Sequence, residues 1–88
     1  MAAIPTISEE AKKVLRALTE RASDGYTVLS RTGLNATQLE EAVQNLLDLG
    51  LVGVQGEPHG DDIGRVYLWV PPDAQGRADY LLGKLMAY

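Results

Sequence analysis

Apolar residues recur along this chain at two different periods, and the change of period marks its elements. Ile7, Ala11, Val14, Leu15, Leu18 and Ala22 share one face at helical spacing, while Glu9 with Lys13 and Arg16 with Glu20 stand four apart on the other. Ser8 followed by Glu9 and Glu10 places an N-cap and two acids where the helix dipole favours them, so a first helix is predicted over about residues 8–22. Ser23-Asp24-Gly25 ends it. Residues 26–32 suit a second helix of one or two turns, with Val28 and Leu29 apolar and Gly33 placed to close its C-terminus. Asn35 opens a third helix over about residues 35–49, because Gln38 stands three residues on in the capping-box position. Ala36, Leu39, Ala42, Val43, Leu46 and Leu47 fall in one apolar sector of that helix, and Gly50 stops it.

Beyond Gly50 the period shortens to two. Residues 51–55 and 65–70 read as strands, the second alternating Val66, Leu68 and Val70 against Tyr67 and Trp69, with the turn-rich run GEPHGDDIG between them. A two-stranded β-hairpin with a long polar tip is therefore expected over about residues 51–70. Pro71-Pro72 ends the second strand, since proline cannot donate to a ladder. After Gly76, a last helix over about residues 77–88 aligns Ala78, Leu81, Leu82, Leu85 and Tyr88 on one side, with Met86 at its margin. The expected fold class is α+β and mostly helical.

Length sets the scale of the core. A chain of 88 residues has room for one domain, expected to span residues 1–88, and buries only somewhat over ~60% of its unfolded surface. Having no Cys, it has no disulfide framework, no thiolate zinc site and no cysteine nucleophile, which points to a cytoplasmic setting. The opening MAAIPTISEE has neither a basic n-region nor an apolar run of membrane-spanning length, so no membrane association is expected.

Three helices followed by a hairpin resemble the winged helix-turn-helix domain, and the run VLSRTGLNATQLEEAVQNLLDLGLV is similar to regulators of the MarR type. In that family a short helix ending in a Gly-Leu turn precedes the recognition helix, and a Leu-x-x-x-Gly-Leu-Val segment leads into the wing. LLDLGLVGV, the acidic pair Asp61-Asp62 and the exit VYLWVPPDAQGR follow the same order, over roughly residues 8 to 77. The resemblance implies a winged helix: a three-helix helix-turn-helix core, a two-stranded wing and a C-terminal helix. It also implies DNA binding and transcription regulation, with the third helix reading bases. The last helix's stripe of Leu81, Leu82, Leu85 and Tyr88 either closes the domain's own core or pairs with another copy, the use to which that family puts its terminal helices. The chain departs from the pattern in the wing, where Asp61-Asp62-Ile63-Gly64 delays the basic residue to Arg65.

Charge placement changes this picture. The formal net charge is -4, yet residues 1–25 hold four acids and four bases, residues 26–34 add Arg31, and residues 71–88 balance two acids with two bases. Residues 35–70 hold six acids against Arg65 alone. The elements that would meet DNA are thus the acidic ones, whereas affinity for DNA comes mostly from Lys and Arg neutralising phosphates. Thr37, Gln38, Glu41, Gln44, Asn45 and Asp48 lie on the polar side of the third helix and read either as a docking face for a protein, with a basic one suiting the charge, or as a solvated surface. Under the DNA reading, Gln38 and Asn45 would bond adenine edges, and Lys12, Lys13, Arg16, Arg31 and Arg65 would meet phosphates. Tyr67 and Trp69 either lie in the core beneath the last helix or anchor a partner.

Candidate chemistry is sparse. His59 with Asp61 and Asp62 carries ligand atoms, but one imidazole in a glycine-broken loop reads as an ordinary exposed histidine, and no metal or cofactor is expected. No nucleophile with a paired base and no phosphate-cradling glycine motif stands in the sequence, so an enzyme is not expected. Two functions remain: a winged-helix interaction module binding a protein or a second copy of itself, which the charges favour, and a small DNA-binding regulator, which the resemblance favours.

Overall fold

The computed structural model describes residues 7–57 and 60–83. Among them the order of elements is α1 (Glu9–Glu20), β1 (Ser23–Asp24), α2 (Gly25–Thr32), α3 (Ala36–Asp48), β2 (Gly53–Gln55), β3 (Tyr67–Trp69) and α4 (Gln75–Leu81), with 3-10 segments at Gly60–Arg65 and Pro72–Ala74. The fold is α+β and mostly helical, with four helices and a three-stranded antiparallel sheet, an order compatible with a winged-helix arrangement.

Local chemistry sets the helix starts. The Ser8 hydroxyl accepts from the Ala11 N–H at 3.0 Å to begin α1, and the Asp24 carboxylate accepts from the Thr27 N–H at 2.8 Å to begin α2. At α3 the capping box is complete: Asn35 Oδ1 accepts from Gln38 N at 2.8 Å, and Gln38 Oε1 accepts from Asn35 N at 3.1 Å. Gly33 closes α2 at φ 75°, and Gly50 follows α3 at φ 70°, both left-handed positions that a side chain would strain.

The sheet differs from the expected hairpin. Its order is β1-β3-β2, so Ser23 and Asp24, read from the sequence as a helix stop, form a third strand paired with Leu68 and Tyr67. The Gly25 N–H extends that contact by donating to the Val66 carbonyl at 2.9 Å. A two-residue strand has no period to detect, and its pairing spans more than forty residues of sequence, so only the tertiary fold specifies it. Leu68 stands between Ser23 and Val54 across the sheet, while Trp69 faces Gly53.

The wing's connection differs too. Its tip is not uniformly polar: the 3-10 segment Gly60–Arg65 carries Ile63 into the core at 1% exposure. One cluster therefore joins Leu15 of α1, Val28 of α2, Leu39 and Leu46 of α3, Leu51, Ile63 and Leu68. The last helix begins at Gln75, two residues before the expected start, behind a 3-10 turn opened by Pro72. It packs on α1 through Ala78, which is fully buried, and the Arg77 guanidinium donates to the Leu49 and Gly50 carbonyls at 3.4 and 3.2 Å. That guanidinium meets the negative end of the α3 dipole.

Candidate functional site

Two surfaces of opposite character lie on the helices. On α3, Thr37, Glu41, Gln44 and Asp48 are exposed, and Gln44 donates from Nε2 to Asp48 Oδ1 at 3.0 Å. This stripe carries carboxylates and no base. The two amides beside it have structural work instead. Gln38 Oε1 is taken by the capping box, and Asn45 Oδ1 accepts from the Ser8 N–H at 2.9 Å, tying the start of α1 to α3. A bidentate contact with adenine needs both the oxygen and the nitrogen of an amide, and in each residue the oxygen is engaged within the fold.

The second surface is a cleft of about 280 Å³ between α1 and α2, lined by Lys13, Arg16, Ala17, Glu20, Arg31 and Thr32. Lys13, Arg16 and Arg31 are candidate phosphate contacts in the sequence, but the cleft that gathers them with Ala17, Glu20 and Thr32 forms only where α1 and α2 pack together. Arg31 is fixed across the cleft: Nη2 meets Glu20 Oε1 at 2.5 Å, and Nη1 donates to the Ala17 carbonyl near the C-terminal end of α1 at 3.4 Å. Among the described residues, no carboxylate lies within ion-pairing distance of Lys13 or Arg16. Lys12 stands apart, 3.7 Å from Glu9 on its own helix, and Arg65 is exposed at the end of the 3-10 segment.

Tyr67 and Trp69 occupy the sheet face opposite Val66 and Leu68, so the strand's contribution to the core is aliphatic. Tyr67 is 46% exposed and Trp69 half-buried, their ring centroids 6.2 Å apart and tilted by 33°. The indole rests on Gly53, where an added Cβ would come within 2.3 Å of it. A third aromatic, Tyr26, was not singled out in the sequence. It is 57% exposed, and its ring lies against Gly64, where a Cβ would stand 2.6 Å from it. The pairing of an exposed tyrosine with a glycine from a distant segment leaves no local signal.

The apolar stripe expected on the last helix divides. Ala78 enters the core and Leu82 packs against it, whereas Leu81 and Tyr80 face outward. Leu85, Tyr88 and His59 lie outside the described residues. Among the described residues there is no group of three metal-ligating side chains, and no helix is long and apolar enough to cross a membrane. The Asp24 carboxyl is held below its ordinary pKa by the Thr27 hydroxyl and by the Thr27 N–H, both of which stabilise the anion. Comparisons with protein-family models, with curated proteins and with solved structures found no match for this chain.

Proposed function

We propose that this chain is a non-catalytic winged-helix interaction module, cytoplasmic in setting, which binds a protein presenting a basic surface to the outward face of α3. Glu41 and Asp48 supply the charge, and Gln44 between them and Thr37 one turn before Glu41 supply neutral hydrogen-bonding groups. The observation that carries this reading is the composition of that face: two exposed carboxylates, no base, and the neighbouring amide oxygens of Gln38 and Asn45 committed to the fold. Such a surface repels phosphates and attracts cationic side chains. The half-exposed Tyr67 and Trp69 form a separate apolar patch that can anchor the same or another protein.

A second reading is favoured by the cleft between α1 and α2. There Lys13, Arg16 and Arg31 gather positive charge that a small DNA-binding regulator of the winged helix-turn-helix type would set against a phosphate backbone.

Charge reversal on α3 separates the two. Glu41→Lys with Asp48→Lys changes only exposed positions, so helical circular dichroism should be retained. Affinity for the cognate protein, captured first with the unmodified chain, should fall by at least about tenfold, or ~1.4 kcal/mol. Selection of random duplexes with the unmodified chain should recover no preferred sequence near physiological salt. A tight, defined duplex from that selection would replace the protein-binding reading with the regulator.

A further inference from the structure

The cationic cleft and the acidic stripe are complementary in more than sign. In the cleft, Glu20 already neutralises Arg31, which leaves Lys13 and Arg16 as two cations without a carboxylate partner among the described residues. On α3, Glu41 and Asp48 are two exposed carboxylates on one face. They stand seven residues apart, which is about two helical turns or roughly 10 Å along the axis. Lys13 and Arg16 are three residues apart on α1, and their long side chains can reach both carboxylates from a shorter base. The cleft is open, and Ala17 and Thr32 line it beside the charged side chains.

We propose that the occupant of the α1–α2 cleft is the outward face of α3 from a second copy of this chain. The inference rests on the reading of α3 as a docking face and names its partner. Two cations meet two carboxylates, and because every copy carries both surfaces, a two-fold pair can make the contact twice, each cleft receiving the other copy's stripe. The net charge of -4 on each copy opposes approach only at a distance. With a radius of gyration of 12.4 Å, paired molecules have well-separated centres. At physiological ionic strength the Debye length of about 8 Å screens that repulsion while leaving ion pairs at contact distance largely intact.

The test is a charge swap followed by sedimentation equilibrium. The unmodified chain should show a weight-average mass rising with concentration from 9.5 kDa towards twice that value, and returning to 9.5 kDa in ~1 M salt, where the Debye length is about 3 Å. Lys13→Glu with Arg16→Glu should be monomeric, as should Glu41→Lys with Asp48→Lys. An equimolar mixture of the two should then associate one to one, at least about tenfold more tightly than either double variant with itself. Circular dichroism checks that each variant is folded, and Lys13→Gln with Arg16→Gln replaces the cleft variant if reversal unfolds it. A monomeric unmodified chain overturns the proposal, as does a mixture of folded variants that stays monomeric. Self-association that survives the cleft substitutions also overturns it and directs attention to Tyr80 and Leu81 on α4. If the unmodified chain is monomeric yet loses a different protein on α3 charge reversal, the self-pairing fails and the docking face stands. If charge reversal changes no binding at all, both fall.

Discussion

Gly25 shows how much one residue position can carry. It is buried at the start of α2, its N–H donates to Val66, and a Cβ built there would lie 1.9 Å from the Ile63 carbonyl oxygen. Backbone from the wing segment occupies the place of a side chain. Gly25→Ala should therefore destabilise the fold by about 1–3 kcal/mol in urea denaturation, as overpacking against backbone does. Gly76 is the contrast: nothing lies within 4 Å of its would-be Cβ, and it sits inside α4, so Gly76→Ala should stabilise by about 0.5–1 kcal/mol. Equal effects from the two substitutions would contradict this account. In the sequence both glycines read as punctuation, and nothing nearby distinguishes a glycine demanded by close packing from a replaceable one. Ile63 is the companion case, a single apolar residue in a run of Gly and Asp, with no period to reveal that it belongs to the core.

For elements, legibility follows the range of the interaction that makes them. The caps of α1 and α3 depend on residues three positions apart, and both helices begin where the sequence places Ser8 and Asn35, whereas Asp24, read there as part of a helix stop, caps α2. Strand β1 depends on β3 from the other end of the chain, and the sequence did not reveal it. The cap of α2 also makes a pH-dependent prediction. Because the Thr27 hydroxyl and N–H lower the folded pKa of Asp24, its ionised form stabilises the native state at pH values above the ordinary carboxylate range. That contribution is lost as pH falls through the lowered folded value. The Thr27 amide resonance should titrate with Asp24, and Asp24→Asn should remove this part of the acid dependence while keeping an N-cap oxygen. An unchanged acid profile in Asp24→Asn would detach the cap from the titration.

For the whole molecule, one core ties the helices, the sheet and the wing segment together, so local changes divide sharply by their access to it. Ala78 is fully buried between α4 and α1, whereas Leu81 is 37% exposed on the same helix. Ala78→Glu places an unpaired charge in the core and should cost on the order of 3 kcal/mol or more, enough to unfold much of the chain. Leu81→Glu should shift the melting temperature little, by an amount corresponding to about 0.5 kcal/mol. A large loss at Leu81 would mean that its side chain is covered in solution, as it would be in an α4-mediated dimer. The segregation of charge was legible from counting alone, because charge is additive along a chain. Its arrangement was not, since Lys13, Arg16 and Arg31 form one cleft only when α1 and α2 pack together.

Trp69, the single tryptophan of the chain, gives the molecule its own optical reporter. Its indole lies half-covered over Gly53, on the sheet face that Tyr67 shares. At 6.2 Å the Tyr67 ring is near enough to pass its excitation to the indole, so native emission belongs chiefly to Trp69. A partner seated on the aromatic strand would exclude water from that indole and move its emission to the blue. A partner seated on Glu41 and Asp48 would leave the spectrum almost where it was. Intrinsic fluorescence thus tells which face of this molecule has been engaged, without a label and without altering a residue.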